Sequence, residues 1–280
     1  MKFLVTGATG TIGRLVVTNL VTQGHLVHTL SRQQVSAQVS TVRGFLGDLT
    51  ASMFDQALFE GVDALFLFPA WGGPIDAFLA QARGAGIGHA VVLSSLAAAQ
   101  TFPRDLHSST ALHHLGIEEA VRKSGLGATI LRPGSFANNL KQWAPTIRAQ
   151  GMVFGPYPDS AQALIHEADI ADVATAVLTT TSLRGGVHPM TGPEALTQRR
   201  QLKAIGDALG RELTYQTISS DKFRESMGRF APAPIVQMLL DYWADTEKVP
   251  DAVFTTVEKL TGKPARTLNQ WARDHAADFS

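Results

Sequence analysis

Three glycines spaced by three, Gly7, Gly10 and Gly13, lie in the stretch Thr6-Gly7-Ala8-Thr9-Gly10-Thr11-Ile12-Gly13. A G-x-x-G-x-x-G turn suits a diphosphate. Its first glycine permits a tight turn out of a strand, its second removes a Cβ where the anion approaches, and its third lets the next helix pack close. The helix amino end then presents unpaired N–H groups and a positive dipole end. Gly7, Thr9, Gly10, Thr11, Ile12 and Gly13 are therefore the candidate cradle. A glycine-rich turn without ligand is the plain alternative. Against it stands the placement, after an apolar run and before an amphipathic one, within the first fifteen residues.

The choice of dinucleotide should be written at the end of the second strand. NAD sites place an acidic residue there, about 20 positions past the glycines, for the ribose 2′-hydroxyl. Here Leu26–Arg32 contains no Asp or Glu, and Arg32 follows Gly13 by nineteen residues. A guanidinium at that point bonds a 2′-phosphate through charge-assisted contacts, so NADPH (NADP) is the expected cofactor unless Arg32 is only a solvated surface residue. Asp48 and Leu49 follow the third apolar run, where the adenine end would lie. Asp48 suits either an adenine amino group or the cap of a following helix.

These residues need a scaffold. Apolar runs of strand length, Lys2–Thr6, Leu26–Ser31, Val42–Phe45, Ala64–Phe68, His89–Ser94 and Ala128–Leu131, alternate with helical stretches near Thr11–Gln23, Ser52–Phe59, Pro74–Ala85 and Ser109–Lys123. Continuous apolar strands separated by amphipathic helices predict an α/β fold, a doubly wound parallel sheet of the Rossmann type. Beyond Pro133 the pattern loosens. It predicts a helix over Phe136–Ala149, a loop over Gly151–Asp159, and a helix over Asp169–Thr180 capped by Asp169. Strands are expected at Val187–Thr191 and Leu213–Ser219, a helix at Thr197–Leu209, and helices at Pro234–Asp245, Asp251–Leu260 and Thr267–His275. Residues 1–133 thus read as a dinucleotide-binding domain. Residues 134–280 read as a smaller C-terminal α/β substrate lobe, with a segment near 163–191 returning to the sheet.

Composition narrows the class. The 280 residues are 45% hydrophobic and 17% charged, with 24 basic and 24 acidic side chains, so no net field draws the chain to nucleic acid or an anionic membrane. It has no cysteine, which excludes disulfides, thiolate catalysis and cysteine-bound metals. No apolar stretch approaches the ~18 residues of a membrane span, so a cytoplasmic protein is expected. No metal site is expected, since the nine histidines show no H-E-x-x-H pattern. G-x-S-x-G is absent too, against a hydrolase.

The ordered set of motifs resembles the atypical short-chain dehydrogenase/reductase family that includes NmrA-like proteins. It comprises the glycine turn, Arg32, Gly47-Asp48-Leu49, His114 with Glu118-Glu119, Ser124-Gly125-Leu126, Thr129–Pro133, Phe136–Asn139, Asp169–Ala174 and Thr191–Glu194. The pattern is similar to type 2 NAD(P)H:quinone oxidoreductases and triphenylmethane-dye reductases. The resemblance implies a Rossmann domain with a small C-terminal lobe and a cleft between them. It places the nicotinamide near Phe68 and Pro69, Ser94 and Ser95, and Pro133, beyond the carboxyl ends of the strands.

The chain departs from ordinary short-chain dehydrogenases in lacking Tyr-x-x-x-Lys. Four residues after Tyr157, Tyr215 and Tyr242 stand Ala161, Ser219 and Thr246. Oxidation of alcohols at carbon needs a positioned base with a tuned pKa, so that chemistry is disfavoured. Hydride transfer to an electron-poor quinone or dye needs chiefly proximity. In this reading His114 bonds the cofactor or supplies a proton, and Ser94 or Ser95 contacts nicotinamide or substrate. Each could instead be structural. Trp71, Phe136, Asn139 and Trp143 are candidates for a pocket holding a small aromatic or quinone-like substrate, with lobe packing as their alternative. The late run Met227, Phe230, Met238, Leu239, Tyr242 and Trp243 reads as helix core. Three functions share these features: a quinone reductase, a non-catalytic cofactor-binding redox sensor, and a tailoring reductase of a biosynthetic intermediate.

Overall fold

The structure, a computed structural model, describes residues 1–33, 40–69, 71–106 and 108–280. The first half runs β1 (Lys2–Thr6), α1 (Thr11–Thr22), β2 (Leu26–Ser31), β3 (Val42–Leu46), β4 (Ala64–Leu67), α2 (Asp76–Gly84), β5 (His89–Leu93), α3 (Ser109–Lys123) and β6 (Gly127–Pro133). Then come α4 (Ala144–Gln150), β7 (Met152–Gly155), β8 (Ala161–Gln162), α5 (Glu167–Thr179), β9 (Val187–Met190), β10 (Leu196–Thr197), α6 (Gln198–Leu209) and β11 (Thr214–Thr217). The chain ends with α7 (Ser220–Met227), α8 (Ala233–Lys248), α9 (Thr256–Thr261) and α10 (Leu268–Asp274).

Seven strands form one sheet in the order β3-β2-β1-β4-β5-β6-β9, with every pair parallel. This is the Rossmann-type doubly wound sheet. Its strand order reverses between β1 and β4, which is where ligands of such sheets bind. Alternation along β1 explains the two cores. Phe3 and Val5 face α1 and α5, packing with Ile12, Val16, Ile170 and Val177. Leu4 faces the other layer with Leu65, Phe78, Ile117 and Val121 from β4, α2 and α3. Helix α5 lies against the first layer, and β9 extends the sheet beside β6. A third core gathers Leu140, Ile147, Ile205, Trp271 and Phe279 around α4, α6 and α10. A fourth joins Phe223 of α7 to Val236, Leu240 and Trp243 of α8.

Five expected segments fold differently. Ser52–Phe59 yields only a 3-10 turn, Gln56–Leu58, capped by the Asp55 carboxylate on Ala57 N–H. Phe136–Ala149 begins as a 3-10 stretch over Ala137–Trp143 and becomes α-helical only at Ala144, with Pro145 in the first turn. The proline has no N–H to continue a ladder, so the helix restarts there. The Gly151–Asp159 loop contains β7, which pairs in parallel with β11. Helix α5 starts two residues before Asp169, and its cap is the His166 ring accepting from Ala168 N–H at 3.1 Å. Asp169 is instead fully buried and accepts the Arg266 backbone N–H at 2.8 Å. Of Asp251–Leu260 only α9 is helical, because Asp251 N–H bonds Ala161 C=O and Phe254 N–H bonds Thr191 Oγ1. Of the late run, Met227, Leu239, Tyr242 and Trp243 join the fourth core, whereas Phe230 is 84% exposed and Met238 lies part-buried outside it.

Candidate active site

The glycine turn crosses from β1 to α1 at the reversal of strand order. Gly7 has φ +64°, and a Cβ there would lie 2.8 Å from the Phe68 side chain after β4. A Cβ on Gly13 would lie 2.2 Å from Gly7 C=O, so the turn closes on the helix only with glycine at that point. Gly10 caps α1 without a side-chain hydrogen bond, and no acidic residue occupies the first turn. Thr9, Gly10 and Thr11 are exposed. The Ile12 side chain is buried in the first core, so only its amide is available to a ligand. An open, uncapped helix start beside two forced glycines fits a diphosphate. The Thr6 hydroxyl fastens β1 to β4, donating to Phe66 C=O at 3.2 Å and accepting from Phe68 N–H at 2.8 Å.

At the adenosine end, Arg32 is exposed and forms no ion pair among the described residues. Gly47 N–H bonds Ser31 C=O at 3.0 Å, which brings the ends of β2 and β3 together. Asp48 Oδ1 accepts from Thr50 N–H and Thr50 Oγ1, both at 2.9 Å. These bonds, with help from the nearby Arg32 charge, hold the Asp48 carboxyl below its ordinary pKa. Asp48 thus braces a turn, not a helix. Leu49 places its side chain in the second core.

At the ends of β5 and β6 the two serines part company. Ser94 is buried and donates to Glu118 Oε1 at 2.6 Å, away from any open cleft. Glu118, itself without exposed surface, accepts from Arg132 Nε at 2.8 Å and Nη2 at 2.7 Å, and from Arg122 Nη2 at 2.8 Å. One carboxylate therefore ties α3 to the ends of β5 and β6, just before Pro133. The Ser95 side chain accepts from Ala97 N–H at 3.3 Å and caps the short turn Leu96–Ala99. The Ser94 proton is committed to Glu118, whereas Ser95 accepts one bond and keeps its own O–H to donate.

Burial lowers the pKa of His114 to about 4, helped by His113 and opposed by Glu118. Its ring is neutral at neutral pH, so it serves as a hydrogen-bond partner and not as a charged acid. Its Nδ1 is buried without a partner, as are His113 Nε2 and Asn138 Oδ1. Such orphans are uncommon in folded proteins and are completed by a water or a ligand; Thr29 Oγ1, Thr41 Oγ1, Arg184 Nε and Gln198 Nε2 are others among the described residues. Trp71 is 59% exposed and stacks flat on His113, ring centroids 3.8 Å apart at 13°. Pro69 is buried and Phe68 packs against the first core. Phe136, half-buried, packs on that core beside the bridge to Ile165.

Two expected pocket residues point elsewhere. Trp143 packs into the lobe core against Tyr215, centroids 6.5 Å apart, and Asn139 faces solvent. Neighbouring Asn138 is the one with an orphaned oxygen. Neither Asn138 nor His113 is a candidate in the sequence reading, and each carries a buried polar atom without a partner. The adjacent pairs carried no sign of which member turned inward. Two surface cavities, about 680 Å³ on α6 and β11 and about 890 Å³ beside α2, lie away from the glycine turn. Among the described residues no helix is long and apolar enough to cross a membrane, and no cluster of three potential ligands could hold a metal.

Comparison with known proteins agrees with this geometry. A family described as NAD(P)H-binding matches residues 7–181. A (4-alkanoyl-5-oxo-2,5-dihydrofuran-3-yl)methyl phosphate reductase of Streptomyces griseus is 35% identical, over 99% of each chain. An NAD(P)H azoreductase of Xenophilus azovorans is 31% identical, over 99% of this chain and 98% of its own. Among solved structures, the Escherichia coli NADPH-dependent quinone oxidoreductase complexed with NADPH superposes with a TM-score of 0.80. It is 24% identical, over 97% of this chain and 99% of that one.

Proposed function

The chain belongs to the NAD(P)H-binding family, and from that premise we propose that it is an NADPH-dependent oxidoreductase reducing a conjugated, electron-poor acceptor of the quinone class. When bound, the cofactor supplies a hydride from its nicotinamide ring. The first-turn amides of α1 hold its diphosphate, and Arg32 takes the 2′-phosphate. His114, neutral and unpartnered at Nδ1, offers a hydrogen bond at the nicotinamide end. Phe68 and Pro69 back that end, and Trp71 and Phe136 supply flat walls for an acceptor. Ser94 positions the strand end through Glu118.

The observation that carries this reading is the group of orphaned polar atoms on His113, His114 and Asn138 with Trp71 stacked on His113, beside no Tyr-x-x-x-Lys pair and no charged acid at His114. That arrangement suits acceptors for which orientation supplies most of the rate. The names of the azo and quinone reductases among the relatives point the same way. A second reading, a tailoring reductase of a biosynthetic intermediate, is favoured by the 35% identity to the Streptomyces griseus enzyme. Both readings involve an unsaturated acceptor polarised by conjugation. The test is NADPH consumption with a panel of quinones, azo compounds and unsaturated lactones. Turnover strongest with quinones supports the first reading, and turnover confined to lactones supports the second. Tight NADPH binding with no turnover overturns both in favour of a sensor.

A further inference from the structure

Helix α8 of the lobe carries a tyrosine that packs on the fourth core while its hydroxyl reaches a polar cluster. The Tyr242 hydroxyl donates to Asp251 Oδ2, and the Ser135 hydroxyl lies beside the phenol oxygen. Ser135 is two residues past Pro133, at the cleft end of β6. Asp251 Oδ2 also accepts Ala163 N–H at 3.2 Å. Arg104, in the turn after β5, sits over the Tyr242 ring at 5.1 Å while paired to Asp245 at 2.5 Å. One turn before Tyr242, Met238 receives the Thr110 hydroxyl at 3.8 Å, and one turn after Thr110 on α3 stands His114. Residues four apart share a helix face, so α8 touches α3 one turn from each of Tyr242 and His114.

We propose that Asp251, Tyr242 and Ser135 form a proton relay that delivers the proton an acceptor's heteroatom takes up when it is reduced. The inference rests on the reductase reading above. With Asp251 protonated, its O–H donates to the phenol oxygen, the phenol donates to Ser135 Oγ, and Ser135 donates towards the cleft. A quinone that has received two electrons and a hydrogen as hydride carries an oxyanion. Each O–H then shifts one place along the chain. The oxyanion gains a proton, Ser135 and Tyr242 remain neutral, and the negative charge ends on Asp251. The hydrogen bonds now run the other way, from phenol to carboxylate, as in this structure. Solvent water returns the proton to Asp251, which is only half-buried.

No buried phenolate is formed at any stage. This matters, because burial and the adjacent Asp251 carboxyl hold the Tyr242 hydroxyl well above the ordinary phenol range. Burial also pushes the Asp251 carboxyl up, against the Tyr242 and Ala163 hydrogen bonds and the Arg104 charge that favour its ionised form. Tyr242 on α8 and Arg104 after β5, with its partner Asp245, are the titratable and charged groups that face it.

The test exploits a difference between acceptors. A quinone needs a proton to complete its reduction, whereas a cationic triphenylmethane dye becomes neutral on receiving hydride alone. Tyr242→Phe, Asp251→Asn and Ser135→Ala should each lower quinone kcat about a hundredfold, the usual contribution of positioned proton transfer. The same variants should reduce the dye within about twofold of the wild type and keep their NADPH affinity. Infrared difference spectra of the cofactor-free protein give a second readout. Beside the bands of Asp105 and Asp169, which burial also raises, a protonated-carboxyl component titrating above the ordinary Asp range should be lost in Asp251→Asn. Equal losses with quinone and dye would reduce the trio to a structural role, and unchanged quinone turnover would exclude it from the reaction. A band titrating in the ordinary range would overturn the relay as well. A wild type inert toward both acceptors would overturn the reductase reading itself, and the relay with it.

Discussion

The two sides of the cleft are built in opposite ways. On the proposed phosphate side one continuous segment of eight residues, Thr6–Gly13, would hold the diphosphate, mostly with backbone. On the proposed acceptor side the candidates are side chains on separate segments: Trp71 after β4, His113 and His114 on α3, Asn138 after β6, and Tyr242 on α8. A backbone site is specified by absences, the missing Cβ atoms of Gly7 and Gly13. A side-chain site is specified by convergence, which depends on the whole fold and on ties such as Glu118.

The largest effect should come from cutting that tie. Glu118→Ala leaves the Arg132 guanidinium, 16% exposed, without its bidentate partner and frees the Ser94 hydroxyl. Breaking a buried pair on one side costs about 3–5 kcal/mol, to be read from urea unfolding. The acceptor side should be disturbed more than the phosphate side, with residual NADPH binding in the folded fraction. Gly13→Val should do the reverse. Its side chain meets Gly7 C=O, and overpacking of this kind costs about 1–3 kcal/mol. Calorimetry should show NADPH affinity lowered by about a hundredfold, the upper end of that range. A Gly13→Val protein that binds NADPH normally would show that the turn is not the cradle.

The same contrast explains what could be read from sequence. The sheet and glycine turn were legible because each rests on a local pattern: apolar runs, alternation, and three glycines at fixed spacing. Strand–helix alternation announced a doubly wound parallel sheet, and the structure supplies its order, β3-β2-β1-β4-β5-β6-β9. What failed was local detail that tertiary contacts decide. Asp169 has the composition of a cap, but Arg266, distant in sequence, draws it inward and leaves capping to His166. Asn139 and Asn138 are equivalent in sequence, and only the 3-10 winding of Ala137–Trp143 turns Asn138 inward. Ser94 stood at the strand end expected for a cleft residue, yet pairing with Glu118 on α3 turns its hydroxyl away. The period of the late run announced core and Tyr242 does pack there, but it gave no sign that the hydroxyl reaches Asp251.

Smaller effects sharpen the comparison. Trp71→Ala removes an exposed stacking surface, so stability should change little while KM for a flat acceptor rises about tenfold, as the loss of an aromatic pair implies. KM for NADPH should stay level; a joint rise in both would place Trp71 on the cofactor side. Acid should loosen the scaffold gradually. Burial lowers His89, like His114, to about 4, so both stay neutral in the folded protein while the unfolded chain binds protons below about 6.5. The unfolded state then holds more protons between those values, and stability falls as pH falls through that window. Thermal melts should drop by several degrees across it, and His89→Gln should flatten the slope.

The central claim is that bare backbone at the glycine turn and the guanidinium of Arg32 together select NADPH. Titrating NADPH and NADH into the wild type and Arg32→Glu by calorimetry tests it most directly. The wild type should bind NADPH more tightly than NADH. Losing charge-assisted bonds worth about 1.5–3 kcal/mol should erase or invert that preference in the variant. An unchanged ratio of the two affinities would place the 2′-phosphate elsewhere, and failure to bind either nucleotide would contradict the account at its root.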